Sequence, residues 1–111
     1  ELENLDRYVA DKRETAACYA EFFKGKEDIT FFTEPADCKS NYWLNAVVLK
    51  DKAAQLDFLE YTNDHGVMTR PVWELMNRLP MFEHCETDGL ENTEWLADRV
   101  VNIPSSVRLD K

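Results

Sequence analysis

The segment from Tyr42 to Leu49 constrains the possible folds most strongly, because it is apolar on both of the faces that a β-strand would present. One face would carry Tyr42, Leu44, Ala46 and Val48, and the other would carry Trp43, Asn45, Val47 and Leu49. A strand of this kind is normally covered on both sides. A chain of 111 residues forms one domain, whose few helices would cover one side well and the other only in part. We therefore expect another body to cover the remainder.

The residues that follow this strand predict a strand, helix, strand unit. Asp51 is a suitable N-cap for a helix over Lys52 to Asp64, which Gly66 would end. The apolar stripe expected to face inward comprises Ala53, Leu56 and Leu59. A second strand is predicted from Val67 to Trp73, with Pro71 at its end or on a sheet edge because proline has no N–H to donate. The connection is long enough for a right-handed crossover between parallel strands.

The rest of the chain predicts two more helices and two more short strands. A first helix over residues 2–24 is indicated by the stripe Leu2, Leu5, Val9, Ala16, Tyr19 and Phe23. Ile29 to Glu34 is typical of a short edge strand. A last helix, capped by Asn92 or Thr93, would precede a short final strand or extended segment over Val100 to Ile103. The expected fold is an α/β two-layer domain, with a small mixed sheet of three or four strands and helices mainly on one face.

The net charge argues against two classes of partner, and the cysteines indicate the compartment. A formal net charge of -9 argues against binding to nucleic acid or to an anionic membrane surface, since both require clustered Lys and Arg. No 18-residue apolar run and no signal-peptide layout is found. The three cysteines, Cys18, Cys38 and Cys85, are widely spaced and suit a reducing compartment. A cytoplasmic location is expected.

The sequence contains no recognisable catalytic or cofactor-binding cluster. An activated lysine amine usually requires a desolvated setting, and none of the lysines has one. They are Lys12, Lys24, Lys26, Lys39, Lys50, Lys52 and Lys111. The 3 glycines are too far apart to form a phosphate loop. Of possible metal ligands, His84 and Cys85 lie beside two glutamates, but the only other histidine, His65, ends a helix; solvated loop residues are the better interpretation.

Arg70 and Trp73 are the leading candidates for a binding site. A guanidinium on an extended backbone before proline suits a phosphate or carboxylate, and a nearby indole can stack on a base or a sugar. The structural alternative is that Arg70 forms a surface ion pair and Trp73 fills the core. Asn41, Tyr42, Trp43 and Asn45 form a second group, of which Asn41 and Tyr42 lie at the start of the central strand. Asn45, polar in an apolar strand, requires a hydrogen-bond partner, either a neighbouring loop or a ligand.

Two stretches of the chain carry a family resemblance: TRPVWELMNRLPMF from residue 69 and ENTEWLADRVVNIPSSV from residue 91. They resemble the C-terminal small domain of the DegT/DnrJ/EryC1/StrS aminotransferases, fold-type I enzymes that depend on pyridoxal phosphate. The most similar branch aminates 4-keto sugars for bacillosamine and legionaminic acid synthesis. The resemblance extends from residue 3 to residue 107. Complete members are much longer, so residues 1–111 are expected to be a C-terminal small domain without its large pyridoxal-phosphate domain.

The resemblance implies a function for the intact protein. It would move an amino group, usually from glutamate, through pyridoxal phosphate to a nucleotide-linked 4-keto-6-deoxy sugar. This domain would help to close the substrate cleft, with Thr69, Arg70 and Trp73 near the nucleotide sugar, and it would be inactive alone. The intact enzyme is expected to be a homodimer, as members of this family typically are, and to act in cell-surface polysaccharide biosynthesis. Two alternatives remain: a sugar dehydratase of the same family, and a free-standing binding module without chemistry.

Overall fold

The computed structural model describes residues 2–108. Within these residues four short strands form one sheet, and three α-helices accompany it. The helices are α1 (Leu5–Phe23), α2 (Lys52–Asp64) and α3 (Glu91–Ala97), and the strands are β1 (Ile29–Phe31), β2 (Asn45–Leu49), β3 (Arg70–Pro71) and β4 (Val100–Ile103). Two 3₁₀ turns, Leu2–Asn4 and Met76–Arg78, complete the described elements. In this part of the chain no helix is both long enough and apolar enough to cross a membrane.

The strands lie in the order β1-β2-β4-β3, and every neighbouring pair is antiparallel. Strands β2 and β3 run in the same direction, as the predicted crossover requires, but β4 lies between them. In this central place Val101 is fully buried and Ile103 nearly so. The predicted α/β fold with a four-stranded sheet is confirmed, although no two neighbours in the sheet are parallel.

Helices α1 and α2 both pack on one face of the sheet. The buried part of that core comprises Ala16, Phe31, Val47, Leu49, Val101 and Ile103. Aromatic rings join α1 to β1, since Tyr19 and Phe23 lie 5.7 Å and 6.3 Å from the ring centroid of Phe31. Half-buried residues of α2, among them Phe58, pack against the same cluster. The prediction that helices cover mainly one face is therefore confirmed.

The bounds and the N-cap of α2 are as predicted, but its inward side is different. The Asp51 carboxylate accepts a hydrogen bond from the Ala54 N–H at 2.8 Å. Gln55, rather than Ala53 or Leu56, is buried, and its side-chain amide donates to the carbonyls of Ala97 and Val100 at 2.9 Å each. These two bonds fix the rotation of the helix, so Leu56 is 54% exposed. The predicted stripe of Ala53, Leu56 and Leu59 was wrong except at Leu59, which packs on the core.

Several predicted boundaries were also wrong, each for a local reason. The central strand begins at Asn45 because Tyr42 has φ 47, which an extended strand cannot accommodate. The strand predicted from Val67 to Trp73 contracts to β3, which has Pro71 on an edge as expected. Neither Asn92 nor Thr93 caps α3; the cap position is Leu90, at φ 52. The predicted stripe on α1 contributes buried contacts only from Ala16 onward, and Leu2 and Leu5 are exposed.

The second face of the sheet is only partly covered. Ala46 and Val48 on β2 and Asn102 on β4 are half-buried, and Phe32, just beyond β1, is exposed. The Phe32 N–H donates to the Ala46 carbonyl at 2.9 Å, which extends this face by one residue. We call it the open face. It leaves the central strand apolar on a side that the described residues do not close.

Candidate functional site

A shallow depression lies where the edge strand β3 meets the open face. Its volume is about 420 Å³, and it is lined by Leu44, Arg70, Pro71, Trp73 and Asn102. The antiparallel register places Arg70 directly opposite Asn102 on β4. The depression therefore combines residues from three segments of the chain, and Arg70 and Trp73 from the sequence-based set lie in it together.

The Arg70 side chain is exposed and is held mainly by its own neighbourhood. One guanidinium nitrogen, Nη1, donates to the Thr69 carbonyl at 3.0 Å and approaches Asn63 Oδ1 at 3.4 Å. Within residues 2–108 no carboxylate forms an ion pair with it. The alternative that Arg70 serves a surface ion pair in this domain is not supported. Its charge and its remaining N–H groups are free to meet an external anion.

Trp73 is 70% exposed, so the alternative that it fills the core was wrong. A second exposed indole, that of Trp43, lies beside it, with ring centroids 6.5 Å apart and planes inclined by 33°. This separation is within the range of interacting aromatic pairs. Trp73 lines the depression together with Arg70, and Trp43 extends the aromatic surface beside Trp73. Such a surface suits a ligand with a ring that can stack and a nearby negative charge.

Thr69 supports β3 and does not line the depression. It is nearly fully buried, and its hydroxyl lies 2.6 Å from the Thr62 hydroxyl on α2. The side chain of Asn63 donates to the Thr69 hydroxyl at 3.1 Å and to its carbonyl at 3.2 Å. These contacts attach the residue before Arg70 to the end of α2, which sets the position of the guanidinium.

Asn41 and Tyr42 lie on the loop that leads to Trp43, at the border of the site. The Asn41 side-chain oxygen accepts a hydrogen bond from the Trp43 N–H at 3.0 Å. The Tyr42 hydroxyl accepts one from the Glu34 N–H at 3.0 Å, and its half-buried ring packs against the core. Both residues shape the loop, and neither lines the depression itself.

An ion pair that sequence reasoning missed stabilises the same loop. Arg13 on α1 donates to both carboxylate oxygens of Glu34, at 3.1 Å and 2.7 Å. The hydrogen bond from Arg13, followed by the one from the Ser40 N–H, lowers the pKa of the Glu34 carboxyl to about 2. The partners are 21 positions apart in the sequence. No local pattern connects them.

Asn45, the polar residue of the central strand, is buried and bonded to a loop. Its backbone N–H and its side-chain amide donate to the Ser105 hydroxyl at 2.8 Å and 3.2 Å. The amide oxygen Oδ1 has no hydrogen-bond partner within residues 2–108. The neighbouring-loop interpretation of this residue is therefore confirmed, since the bond joins β2 to the segment after β4.

The described residues do not fit a covalent pyridoxal-phosphate site. The lysines between residues 2 and 108 are exposed, with the exception of the half-buried Lys12. The Lys12 ammonium donates to the Ser105 carbonyl at 2.6 Å, so it is engaged with backbone. In the same range no group of three or more His, Cys, Asp or Glu side chains is arranged to hold a metal ion. Lys111, the last lysine of the sequence-based set, lies outside the described residues.

Comparisons with known proteins agree on one family. A family model described as the DegT/DnrJ/EryC1/StrS aminotransferase family matches residues 1–111. EpsN of Bacillus subtilis (strain 168), which carries the name of a pyridoxal phosphate-dependent aminotransferase, is 26% identical over 109 residues. That match covers 95% of this chain and 28% of EpsN.

Solved structures show the same fold. The sugar aminotransferase CalS13 from Micromonospora echinospora is 25% identical, with a TM-score of 0.78 over 95% of this chain and 27% of its own. DesV of S. venezuelae gives a TM-score of 0.86 at 18% identity over 99% of this chain and 30% of its own. A GDP-4-keto-6-deoxy-D-mannose-3-dehydratase of E. coli shares the fold at 17% identity, with a TM-score of 0.75 over 95% of this chain and 28% of its own. This chain thus spans less than a third of each of these proteins.

Proposed function

Because the chain belongs to the DegT/DnrJ/EryC1/StrS aminotransferase family, we propose that it is part of an enzyme that uses pyridoxal phosphate to transfer an amino group to a sugar. The family match and the likeness to the sugar aminotransferase CalS13 support this proposal. Bound pyridoxal phosphate supplies the electron sink for amino-group chemistry. The residues described in this chain bind and orient the substrate.

The second part of the proposal concerns domain organisation. Residues 1–111 act as the C-terminal small domain, and a large domain of the same polypeptide holds the cofactor. Two observations support this: the described lysines do not fit the cofactor, and the open face leaves apolar residues of β2 partly uncovered. The intact enzyme is a cytoplasmic homodimer in this proposal. The small domain closes the substrate cleft and has no transaminase activity by itself.

The substrate proposal depends on one observation: Arg70 has no ion-pair partner in the described domain and lies beside the exposed indole of Trp73. A guanidinium can bind a phosphate through two parallel hydrogen bonds, and an indole packs on a base or on the apolar face of a sugar. A nucleotide-linked sugar contains all of these groups. We propose a nucleotide-linked 4-keto-6-deoxy sugar as acceptor and glutamate as amino donor, in a route to a cell-surface polysaccharide.

The decisive experiment uses the intact protein with pyridoxal phosphate, glutamate and a panel of nucleotide-linked 4-keto-6-deoxy sugars. An aminotransferase forms 2-oxoglutarate and an amino sugar in equal amounts. Loss of oxygen from the sugar without an amino sugar would instead favour the dehydratase, whose fold this chain shares. Binding of sugar nucleotide without turnover would favour a binding module. No binding and no turnover with any member of the panel would contradict the proposal.

The cofactor assignment has its own test. Pyridoxal phosphate added to the 111-residue chain should leave no absorbance at about 400–430 nm after dialysis, because covalent attachment requires an activated lysine. The intact protein, treated in the same way, should retain it. Retained absorbance in the short chain that disappears when one lysine is changed would show that the cofactor site lies within these residues.

A further inference from the structure

Arg13 on α1 contacts the loop between β1 and β2 at two points, Glu34 and Ser40. Arg13 Nη1 donates to the Ser40 carbonyl at 2.6 Å while the guanidinium also holds both carboxylate oxygens of Glu34. The Arg13 and Glu34 side chains are 32% and 21% exposed, so the pair is partly shielded from water. A two-pronged pair of this kind fixes orientation as well as distance.

Further hydrogen bonds close the same loop onto itself. Glu34 Oε2 accepts from the Ser40 N–H at 2.6 Å, and the Glu34 N–H donates to the Tyr42 hydroxyl. The Tyr42 N–H donates to the Ser40 hydroxyl at 2.9 Å, and the Arg13 guanidinium lies 5.6 Å from the centre of the Tyr42 ring. We call the four residues Arg13, Glu34, Ser40 and Tyr42 the loop clamp.

The loop clamp ends immediately before Trp43. Tyr42 has φ 47, a conformation that a tyrosine rarely adopts and that persists only where the surroundings impose it. This turn decides the direction in which the chain continues to Trp43, whose indole lies 6.5 Å from that of Trp73. The neighbouring α1 residue, Lys12, also approaches the Trp43 carbonyl at 3.5 Å.

We propose that Arg13 and Glu34 are positioning residues that hold Trp43 against Trp73, and that the two indoles together form the surface on which the sugar nucleotide packs. The inference about the ligand rests on the proposed function. The inference about positioning rests only on the contacts of the loop clamp. Arg13 and Glu34 touch no reacting group and act through the loop.

Fluorine NMR of the intact protein labelled with 5-fluorotryptophan tests the positioning directly. Changing Trp43→Phe removes one resonance and should shift that of Trp73, because each ring lies in the ring-current field of the other. Glu34→Gln should shift both resonances, and a further Trp43→Phe change in that background should no longer move the Trp73 signal. Unchanged Trp43 and Trp73 resonances in folded Glu34→Gln protein would overturn the proposal.

Two further variants separate positioning from loss of stability. Arg13→Lys keeps the positive charge but cannot form the two-pronged contact, so it should shift the same two resonances; it also decides the matter if Glu34→Gln does not fold. Asp51→Ala removes the N-cap of α2, which is not part of the loop clamp, and should leave both resonances in place. If Asp51→Ala moved them equally, the effect would be one of general destabilisation and the proposal would fail.

A kinetic measurement tests the ligand part separately. Glu34→Gln should raise KM for the sugar nucleotide about tenfold with kcat nearly unchanged, within the losses that small misplacements cause. An unchanged KM together with shifted resonances would overturn the role of the indole pair in binding. If the proposed function is wrong, the wild-type protein will not use sugar nucleotides. The NMR result still decides whether Arg13 and Glu34 position Trp43.

Discussion

The two faces of the sheet differ in how far the domain completes them. On the face covered by α1 and α2, Val47 and Val101 are fully buried, and aromatic rings of α1 pack on Phe31. On the open face, Leu44 remains 37% exposed, and Arg70 lacks an ion-pair partner among residues 2–108. The covered face contains the contacts that stabilise this domain. The open face displays groups whose use requires something beyond it.

This contrast explains why β2 is apolar both on the face that the helices cover and on the open face. The residues of β2 that point to the covered face are buried, and those that alternate with them are half-buried. Apolar residues that are only half covered gain part of the hydrophobic stabilisation available to them. Their retention on the open face is accounted for if a larger body of the same protein packs there.

The largest expected effect compares two leucines of the same strand region. Leu49→Ala, on the covered face and 5% exposed, should lower the free energy of unfolding by about 2–5 kcal/mol, since it creates a cavity in the core. Leu44→Ala, on the open face, should cost less than about 1 kcal/mol in the 111-residue chain. Urea unfolding of both variants measures the difference.

The same two variants give a more specific test when they are made in the intact protein. If the large domain covers the open face, Leu44→Ala should there cost more than it does in the 111-residue chain, while the cost of Leu49→Ala stays the same. Equal costs for Leu44→Ala in the two contexts would mean that the open face remains open in the whole enzyme.

The next effect concerns the charge displayed beside the open face. Arg70→Ala in the intact enzyme should reduce kcat/KM for the sugar nucleotide. The corresponding loss of transition-state stabilisation is about 1.5–3 kcal/mol, because a hydrogen bond to a charged group is lost. This corresponds to a fall of roughly tenfold to more than a hundredfold. Arg7→Ala removes the same charge from an exposed residue of α1 that does not line the depression, and it serves as control. Equal kinetics for the two variants would assign Arg70 a structural role.

Features set by local sequence signals were predicted, whereas features set by contacts across the fold were not. The bounds of α2 and β4 and the cap at Asp51 follow from local signals, and all were predicted. The rotation of α2 was not, because pattern analysis treats Gln55 as polar and outward, whereas two backbone carbonyls bind its amide inside the core. Hydrogen bonds made across the fold thus overrode the apolar stripe.

The candidate site divides in the same way. Arg70 and Trp73 are three positions apart, so a local motif was enough to group them. Their neighbours in space, Trp43 and Asn102, come from distant segments that only the insertion of β4 beside β3 brings together. The Arg13 and Glu34 pair has the same origin, since it joins a helix to a loop that local patterns treat separately.

A smaller effect is expected at α2, one of the two helices on the covered face. Asp51→Ala should lower the free energy of unfolding by about 1 kcal/mol, because the Ala54 N–H loses its acceptor at the first turn of α2. Asp51→Asn keeps an acceptor and should cost only a fraction of this. Thermal unfolding of the two variants decides between them, and equal losses would show that the cap contributes nothing beyond its charge.

The smallest expected effect depends on pH and concerns Glu34, at the border between the two faces. The pKa of its carboxyl is lowered from 4.5 to about 2 in the folded protein, first by the hydrogen bond from Arg13 and then by that from the Ser40 N–H. A carboxyl whose pKa is lowered by folding stabilises the native state above its unfolded pKa, and this contribution is lost as pH falls through the folded value.

The wild-type Tm should therefore exceed that of Glu34→Gln at pH 5 to 7, and the two should converge as pH falls from about 4.5 towards 2. The difference should be modest, since the pair is accessible to water and is screened by salt. Glu74→Gln, which removes a second, exposed ion pair at 3.6 Å from Arg78, is the control for the loss of one carboxylate elsewhere in the domain. A constant Tm difference for Glu34→Gln from pH 7 to pH 2 would mean that the loop depends on the shape of this side chain and not on its charge.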